Sequence, residues 1–389
     1  MMATKRGCTQ CGTCLNTCPV YNLIRREEVS PKAKQELLAD AGRKNTTLNW
    51  QRTLDLSNFC ASCGRCFAVC PRHLSVPEAL NRARALNPGW RQKFWKLWIN
   101  GRRALWPAAK HLAPLWPHSL LPEKLACLQD SARAMAQPAK VEPLIRLSAD
   151  AGRPLEGVTC AIFGGCTAEN LRPQWISRTK ALLTALGATI AEGRFGCCGG
   201  TFEHAGLPDA AAESARTNIE IWRSLGKPVM VTFCASCLHG LKSYADLPDV
   251  LGEEERTTWL NRVKPLSALL EKVPFDVTGA DDLAARAYYH SPCHWLPGKD
   301  LDFRLLSRLF PGLRKGKSLC CGFGGVLQML NPVLSRDLAA KCWEGFSSDG
   351  KTPGKNVTVI TGCSGCTLQL SAHAPKGASV HHWLDLVGI

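Results

Sequence analysis

The stretch CTQCGTCLNTCP at residues 8–19 returns as CASCGRCFAVCP at residues 60–71. Cys8, Cys11, Cys14 and Cys18 in the first run, and Cys60, Cys63, Cys66 and Cys70 in the second, share one spacing and a closing proline, Pro19 or Pro71. Gaps of two residues let successive thiolates reach three corners of one small inorganic core, while the longer third gap carries the fourth thiolate elsewhere. Gly12 and Gly64 remove side chains where the backbone must approach that core. Structural zinc also uses paired CxxC units, but two proline-closed runs of four cysteines fit it poorly.

This is the bacterial ferredoxin pattern, in which three cysteines wrap one 4Fe–4S cubane and the fourth ligates the other cluster. It assigns Cys8, Cys11, Cys14 and Cys70 to one cubane, and Cys18, Cys60, Cys63 and Cys66 to the second. The intervening 41 residues exceed a minimal hairpin and read as helical. Ser30 can cap, Pro31 suits the first helical position, KAKQELLAD propagates the helix and Gly42 stops it. VPEALNRARAL reads as a further helix ended by Asn87-Pro88-Gly89.

The chain has 389 residues, 45% of them apolar and 21 of them cysteine. Such a length accommodates two or three domains, and so many cysteines without an apolar leader before Cys8 suit metal-bound thiolates in a reducing cytoplasm. No stretch reaches the ~18 apolar residues of a membrane span. Residues 1–126 hold 20 Lys/Arg against 7 Asp/Glu, a net +13 of the chain's +16. Two clusters at about −2 each leave that end basic. A basic surface without a nucleic-acid-binding motif suits an anionic membrane or an acidic partner protein.

Residues 90–118 carry five of the twelve tryptophans and six Lys/Arg with no acid. In WRQKFWKLWIN, Trp90, Phe94, Leu97 and Trp98 fall on one side at helical spacing, with Arg91, Lys93 and Lys96 largely elsewhere. Such a helix can lie in a membrane interface or dock on protein. The prolines at 107, 114, 117, 122, 138 and 143 predict an irregular linker from there to about residue 155.

The remainder reads as one unit written twice. TCAIFGGC (ending at Cys166), FGCCGG (Cys197, Cys198) and VMVTFCASC (Cys234, Cys237) are followed by AYYHSPC (Cys293), LCCGFGG (Cys320, Cys321) and VTVITGCSGC (Cys363, Cys366). In each copy a short apolar strand delivers one cysteine, a glycine turn delivers two and a β-branched strand delivers a CxxC. Leu171, Trp175, Leu182 and Leu186 recur at helical intervals before Gly187, and DAAAESARTNIEIWRSLG and LDFRLLSRLF are helix-like. Alternating strands and helices imply a parallel sheet with its cysteines at the loop edge. Consecutive cysteines reach one metal site only from a tight turn, which Gly199 and Gly322 support.

These motifs resemble two copies of the CCG domain of heterodisulfide reductases. With the neighbouring ferredoxin they are similar to the heterodisulfide reductase component in which ferredoxin and CCG domains are fused, and to the iron–sulfur subunits of glycolate oxidase and of anaerobic glycerol-3-phosphate dehydrogenase. The resemblance implies a mixed fold: an α-helical ferredoxin domain (1–87), a basic connector (88–155) and two tandem α/β CCG domains (156–278 and 279–389). It also implies a non-cubane 4Fe–4S cluster on Cys166, Cys197, Cys198, Cys234 and Cys237, and another on Cys293, Cys320, Cys321, Cys363 and Cys366, so that two cubanes are joined by one or two non-cubane clusters. Cys127, Cys160 and Cys342 read as buried apolar residues, His290 and His294 as neighbours of a cluster, and His381 and His382 as structural residues of a C-terminal helix.

The function implied is electron transfer in a respiratory oxidoreductase, from a flavoprotein dehydrogenase acting on a 2-hydroxy acid or glycerol 3-phosphate toward quinone. The place implied is peripheral, on the cytoplasmic face of the inner membrane, against a membrane subunit or anionic lipid. The alternative is a catalytic subunit that cleaves a disulfide or sulfur substrate. No G-x-G-x-x-G follows a strand, so an organic cofactor has to come from a partner, and no catalytic residue is assigned.

Overall fold

The computed structural model describes residues 7–41, 50–136, 141–295, 299–347 and 356–388. The first 87 residues are helical among those described, with helices at Pro19–Ile24, Pro31–Ala41, Trp50–Ser57, Arg65–Ala68 and Val76–Leu86. Serine caps set the two long ones: Ser30 Oγ accepts from the Ala33 N–H at 3.1 Å, and Ser75 Oγ from the Glu78 N–H at 3.3 Å. The expected stop at Gly42 lies outside the described residues.

The expected irregular linker is largely helix. Trp90–Asn100 and Arg102–Leu112 follow one another, Pro107 sits inside the second, and Glu123–Ala136 forms a third helix. Pro107 is the sixth residue of that helix, so it cannot donate to the Arg103 carbonyl one turn earlier. The Trp90–Asn100 helix buries Trp95 and Ile99 against Phe202, Ala205, Ala210, Ala211 and Val326. Trp90 and Leu97, expected on its apolar side, face outward. The helix is apolar on more than one side, so spacing alone could not say which side meets protein.

Among the described residues ten short strands follow: β1 Ile145–Leu147, β2 Thr159–Ile162, β3 Thr189–Ile190, β4 Val229–Thr232, β5 Val263–Pro265, β6 Phe275–Val277, β7 Ala287–His290, β8 Arg314–Lys315, β9 Thr358–Thr361 and β10 Ser379–His382. They build two four-stranded parallel sheets, β3-β2-β4-β5 and β10-β9-β7-β8, which share one order when each repeat is read in sequence. Strands β1 and β6 pair antiparallel beside them. The β-branched runs VMVT and TVIT form the central β4 and β9, where both faces are covered. Each of the two largest apolar cores draws on both repeats. One joins Val231, Phe233 and Leu266 to Tyr289, Ile360 and Trp383, and the other joins Ala161, Phe163 and Met230 to Tyr288, Trp343 and Val359.

Two further expectations change. The helix expected before Gly187 is two helices, Gly165–Leu171 and Pro173–Ala185, because Pro173 cannot continue the first. His381 and His382 end strand β10 instead of lying in a helix. Their register beside Ile360 and Thr361 places His382 in the core, a tertiary pairing that overrides the local pattern.

Candidate functional site

The cysteines gather where the strands end. Cys234 follows β4 and Cys363 follows β9, and each is the N-cap of a helix, Ala235–Lys242 or Ser364–Ala372. Their CxxC partners, Cys237 and Cys366, sit in the first turn. A helix N-terminus presents free N–H groups and positive potential, which favour thiolate. Gly199 and Gly322 have φ of +83° and +86°, and each donates its N–H to the first cysteine of its pair at 3.4 Å, Cys197 or Cys320. That left-handed turn brings two consecutive cysteines to one place.

The first repeat's sulfurs form one contact network. Cys166 hydrogen-bonds Cys197, Cys197 bonds Cys198, Cys198 bonds Cys237 and Cys237 bonds Cys234. In the second repeat Cys320 bonds Cys321, and the Cys321 and Cys366 Sγ atoms lie 3.2 Å apart. Cys293 lies within the field of Cys321 and Cys363. The two networks touch. Ser364 N–H donates to Cys234 Sγ at 3.4 Å, and Ser236 Oγ meets Cys363 Sγ at 3.1 Å.

Neighbouring thiols hold Cys198 down to about 5, with donors Cys197 and Cys237, and hold Cys234 and Cys321 well below the ordinary thiol range. Burial pushes Cys293 up. All 21 cysteines are free, and sulfurs 3.2 Å apart are not bonded to each other. Ten crowded, mostly buried sulfurs cannot all be anionic without a cation core to offset their repulsion, and a metal core deprotonates its ligands. The residues fit iron–sulfur clusters.

The ferredoxin runs repeat one local geometry. Gln10 and Ser62, two residues beyond the first cysteine of each run, have φ of 57° and 48° and donate their N–H groups to Cys8 and Cys60 at 3.4 Å. Cys18 caps the Pro19–Ile24 helix and accepts from the Tyr21 N–H at 3.4 Å. Cys18, Cys60, Cys63 and Cys66 line one cavity, with Lys34 at its wall. Burial raises the Cys63 thiol to about 11. Cys14 lies within the field of Cys8, Cys11 and Cys18, while Cys70 is half-buried in the turn after helix Arg65–Ala68.

The ferredoxin meets the second repeat with its cysteines. Arg65 donates to the Ser318 carbonyl at 2.7 Å, and its charge lies beside Cys63, Cys293 and Cys320. Against the first repeat it sends Arg84, which is buried and donates to the carbonyls of His204 at 2.7 Å and Ser57 at 2.8 Å. Arg65 thus links the ferredoxin to the second repeat, and Ser236 and Ser364 link the cysteines of the second repeat to those of the first.

Cys127, Cys160 and Cys342 are buried, as expected. Cys342 also meets a partner that sequence reasoning did not assign, with its Sγ 3.6 Å from His290 Nδ1. His294 Nδ1 lies 3.1 Å from Ser236 Oγ, and its ring stacks on His239 at 4.8 Å. The Ser236 contact was illegible in sequence because it joins the two repeats.

Residues 5–74 match the 4Fe-4S dicluster domain, and residues 160–242 and 287–371 each match the cysteine-rich domain. The chain thus carries a 4Fe-4S dicluster domain and two cysteine-rich domains, and it is similar at low identity, over nearly its full length, to iron–sulfur subunits of oxidoreductases. It is 25% identical to the glycolate oxidase iron–sulfur subunit of Escherichia coli K12, across 98% of this chain and 93% of that protein. It is 24% identical to one component of the dihydromethanophenazine:CoB–CoM heterodisulfide reductase of Methanosarcina acetivorans, across 85% and 81%. It is 23% identical to one component of the CoM/CoB fumarate reductase of Methanothermobacter marburgensis, across 95% and 68%. These relatives are iron–sulfur subunits of oxidoreductase complexes.

Proposed function

We propose that the subunit relays electrons from a partner flavoprotein dehydrogenase, acting on a 2-hydroxy acid such as glycolate or lactate or on glycerol 3-phosphate, toward quinone. The observation that carries this reading is the continuous file of cysteine groups, with no bond-making site of another kind beside it among the described residues. Bound 4Fe–4S clusters supply one-electron redox chemistry. Cys8, Cys11, Cys14 and Cys70 would hold one cubane, and Cys18, Cys60, Cys63 and Cys66 the second. Cys166, Cys197, Cys198, Cys234 and Cys237 would hold a non-cubane cluster, as would Cys293, Cys320, Cys321, Cys363 and Cys366 in a duplicated domain. The chain's own groups position sulfur and donate N–H to it, which raises the potential of whatever the sulfur binds.

Four clusters correspond to about sixteen irons and about sixteen sulfides per chain. Anaerobically isolated protein is expected to reach that number by iron and acid-labile sulfide analysis. About eight irons would restrict the clusters to the ferredoxin runs and remove the relay reading. A catalytic reading, cleavage of a disulfide substrate, is favoured by the complete set of five cysteines in both repeats. Turnover of a reduced chain with a disulfide and no partner present would establish it in place of the relay.

The connector's outer surface supports attachment to a membrane surface, which the reading places on the cytoplasmic side. Trp90 is 72% and Leu115 76% exposed, and Leu97, Leu112, Trp116 and Leu120 are also exposed, among six Lys/Arg with no acid over residues 90–118. Among the described residues no helix is long and apolar enough to cross a membrane. Burying such a side chain contributes about 1.5–3 kcal/mol. Glutamine at Trp90, Leu115, Trp116 and Leu120 together is expected to weaken sedimentation with phosphatidylglycerol vesicles at least about a hundredfold. Unchanged sedimentation would assign this surface to a protein subunit. Deleting the whole connector would not test the point, because Trp95 and Ile99 cover Cys197.

A further inference from the structure

The two repeats align their lone cysteines, Cys166 and Cys293, and three residues before each stands a different side chain: Phe163 in the first and His290 in the second. Phe163 is fully buried and packs on Phe195, with ring centroids 5.8 Å apart. His290 ends β7 and is 2% exposed. One ring nitrogen of His290 and the sulfurs of Cys321 and Cys366 all lie within 4.8 Å of one another. Two further side chains hold the ring. Its Nδ1 lies 3.6 Å from Cys342 Sγ, and Phe346 packs edge-on at 6.0 Å. Nε2 is buried and has no hydrogen-bond partner of ordinary geometry.

Cys342 differs between the repeats in the same way. It is the eleventh residue of helix Pro332–Glu344, and the eleventh residue of helix Pro208–Ser224 is Asn218. Asn218 binds backbone, with its Oδ1 accepting from the Gly196 N–H at 2.7 Å and its Nδ2 donating to the Cys197 carbonyl at 2.9 Å. The second repeat therefore exchanges Phe163 and Asn218 for a touching pair, His290 and Cys342.

We propose that His290 donates an Nε2–H hydrogen bond to the Cys321 thiolate, that Cys342 fixes the tautomer which makes this possible, and that the second-repeat centre consequently holds a higher reduction potential than the first. Burial pushes the Cys342 thiol up, so it carries an S–H; of the two acceptors within reach, His290 Nδ1 at 3.6 Å is nearer than the Leu319 carbonyl at 4.0 Å, and donation to Nδ1 leaves the ring proton on Nε2. A donor on a ligand sulfur favours the reduced, more negative cluster. His290 acts through Cys321 and is a positioning residue. The inference rests on the cluster-holding reading of the second repeat.

The test is an EPR-monitored redox titration of the full-length, anaerobically isolated chain. The Cys198→Ser variant serves to tell the two non-cubane signals apart. His290→Phe, which installs the first repeat's side chain, is expected to leave iron content unchanged and to shift only the second-repeat midpoint to more negative potential. His290→Gln, which restores an N–H donor, is expected to recover part of the shift, and Cys342→Ala to give a smaller shift of the same sign. An unmoved midpoint in His290→Phe at full iron would overturn the proposal. If that variant does not fold, an unmoved midpoint in Cys342→Ala overturns it instead. Strong ¹⁵N coupling from labelled histidine in the unaltered protein would make His290 an iron ligand and also overturn it. Absence of iron from the second repeat of the unaltered protein would remove the cluster-holding reading itself, and that result is visible before any variant is made.

Discussion

Serine at Cys198 is expected to strip about four of about sixteen irons and to erase one non-cubane EPR signal while both cubane signals persist. Cys198 lies at the centre of the first-repeat network, hydrogen-bonded to Cys197 and Cys237. Its sulfur is also closed in by helix Ala235–Lys242, where a Cβ added to Gly240 would stand 3.0 Å from it. A serine oxygen is shorter and harder than thiolate and is a poor iron ligand. Burying one hydroxyl beside polarisable sulfurs costs about 1–3 kcal/mol, too little to unfold a chain with two shared cores. Cys63 of the ferredoxin lies within the field of Cys293 and Cys320 in the second repeat, so the cubane ligands are expected to be spared the change. Partner-driven electron delivery is expected to fail at this end of the file, whereas chemical reduction of the remaining centres continues. Loss of every signal in Cys198→Ser would instead assign the residue to folding.

Alanine at Gly322 is expected to destabilise the protein by about 3 kcal/mol or more and to empty the second-repeat centre. Two costs combine. The backbone there has φ +86°, which an L side chain adopts at about 1–2 kcal/mol. An added Cβ would stand 2.3 Å from the Ser335 carbonyl oxygen, 3.0 Å from Leu338 Cβ and 3.2 Å from the Ala339 nitrogen. Two of those atoms are backbone of helix Pro332–Glu344, which is held in place because Ser335 Oγ donates to the Gly322 carbonyl at 2.7 Å. Relief requires the turn to open, and opening it carries Cys320 and Cys321 apart. Gly226→Ala is the control: φ is +78° but nothing stands within 4 Å, so only the conformational cost of about 1–2 kcal/mol applies. Equal melting temperatures for the two variants, with full iron in Gly322→Ala, would mean that the helix can retreat and that the contact decides nothing.

Features set within a few residues were legible in the linear chain. The two cysteine runs, the glycine after each cysteine pair and the serine cap at Ser30 all depend on spacing and on φ at single positions, and spacing is written in the sequence. The connector misled for the opposite reason. Its prolines read as an irregular linker, yet Pro107 is absorbed in a helix and Trp95 and Ile99 turn inward, because which side of an apolar helix is covered depends on what stands next to it. His382 likewise reads as helical beside Trp383 but pairs with Thr361 in a sheet.

The amino-acid order by itself determined which side chains suit metal and how each local turn presents them, since a thiolate's reach from its own backbone spans only a few residues. The order of the centres in space belongs to the tertiary structure. The ferredoxin reaches the second repeat through Arg65 and Ser318, 253 residues apart in the chain, and places Cys63 within the field of Cys293, while both repeats share common cores. The pairing of Cys234 with Ser364, and of His290 with Cys342, was likewise decided there, by packing between segments 52 to 130 residues apart that no local pattern encodes.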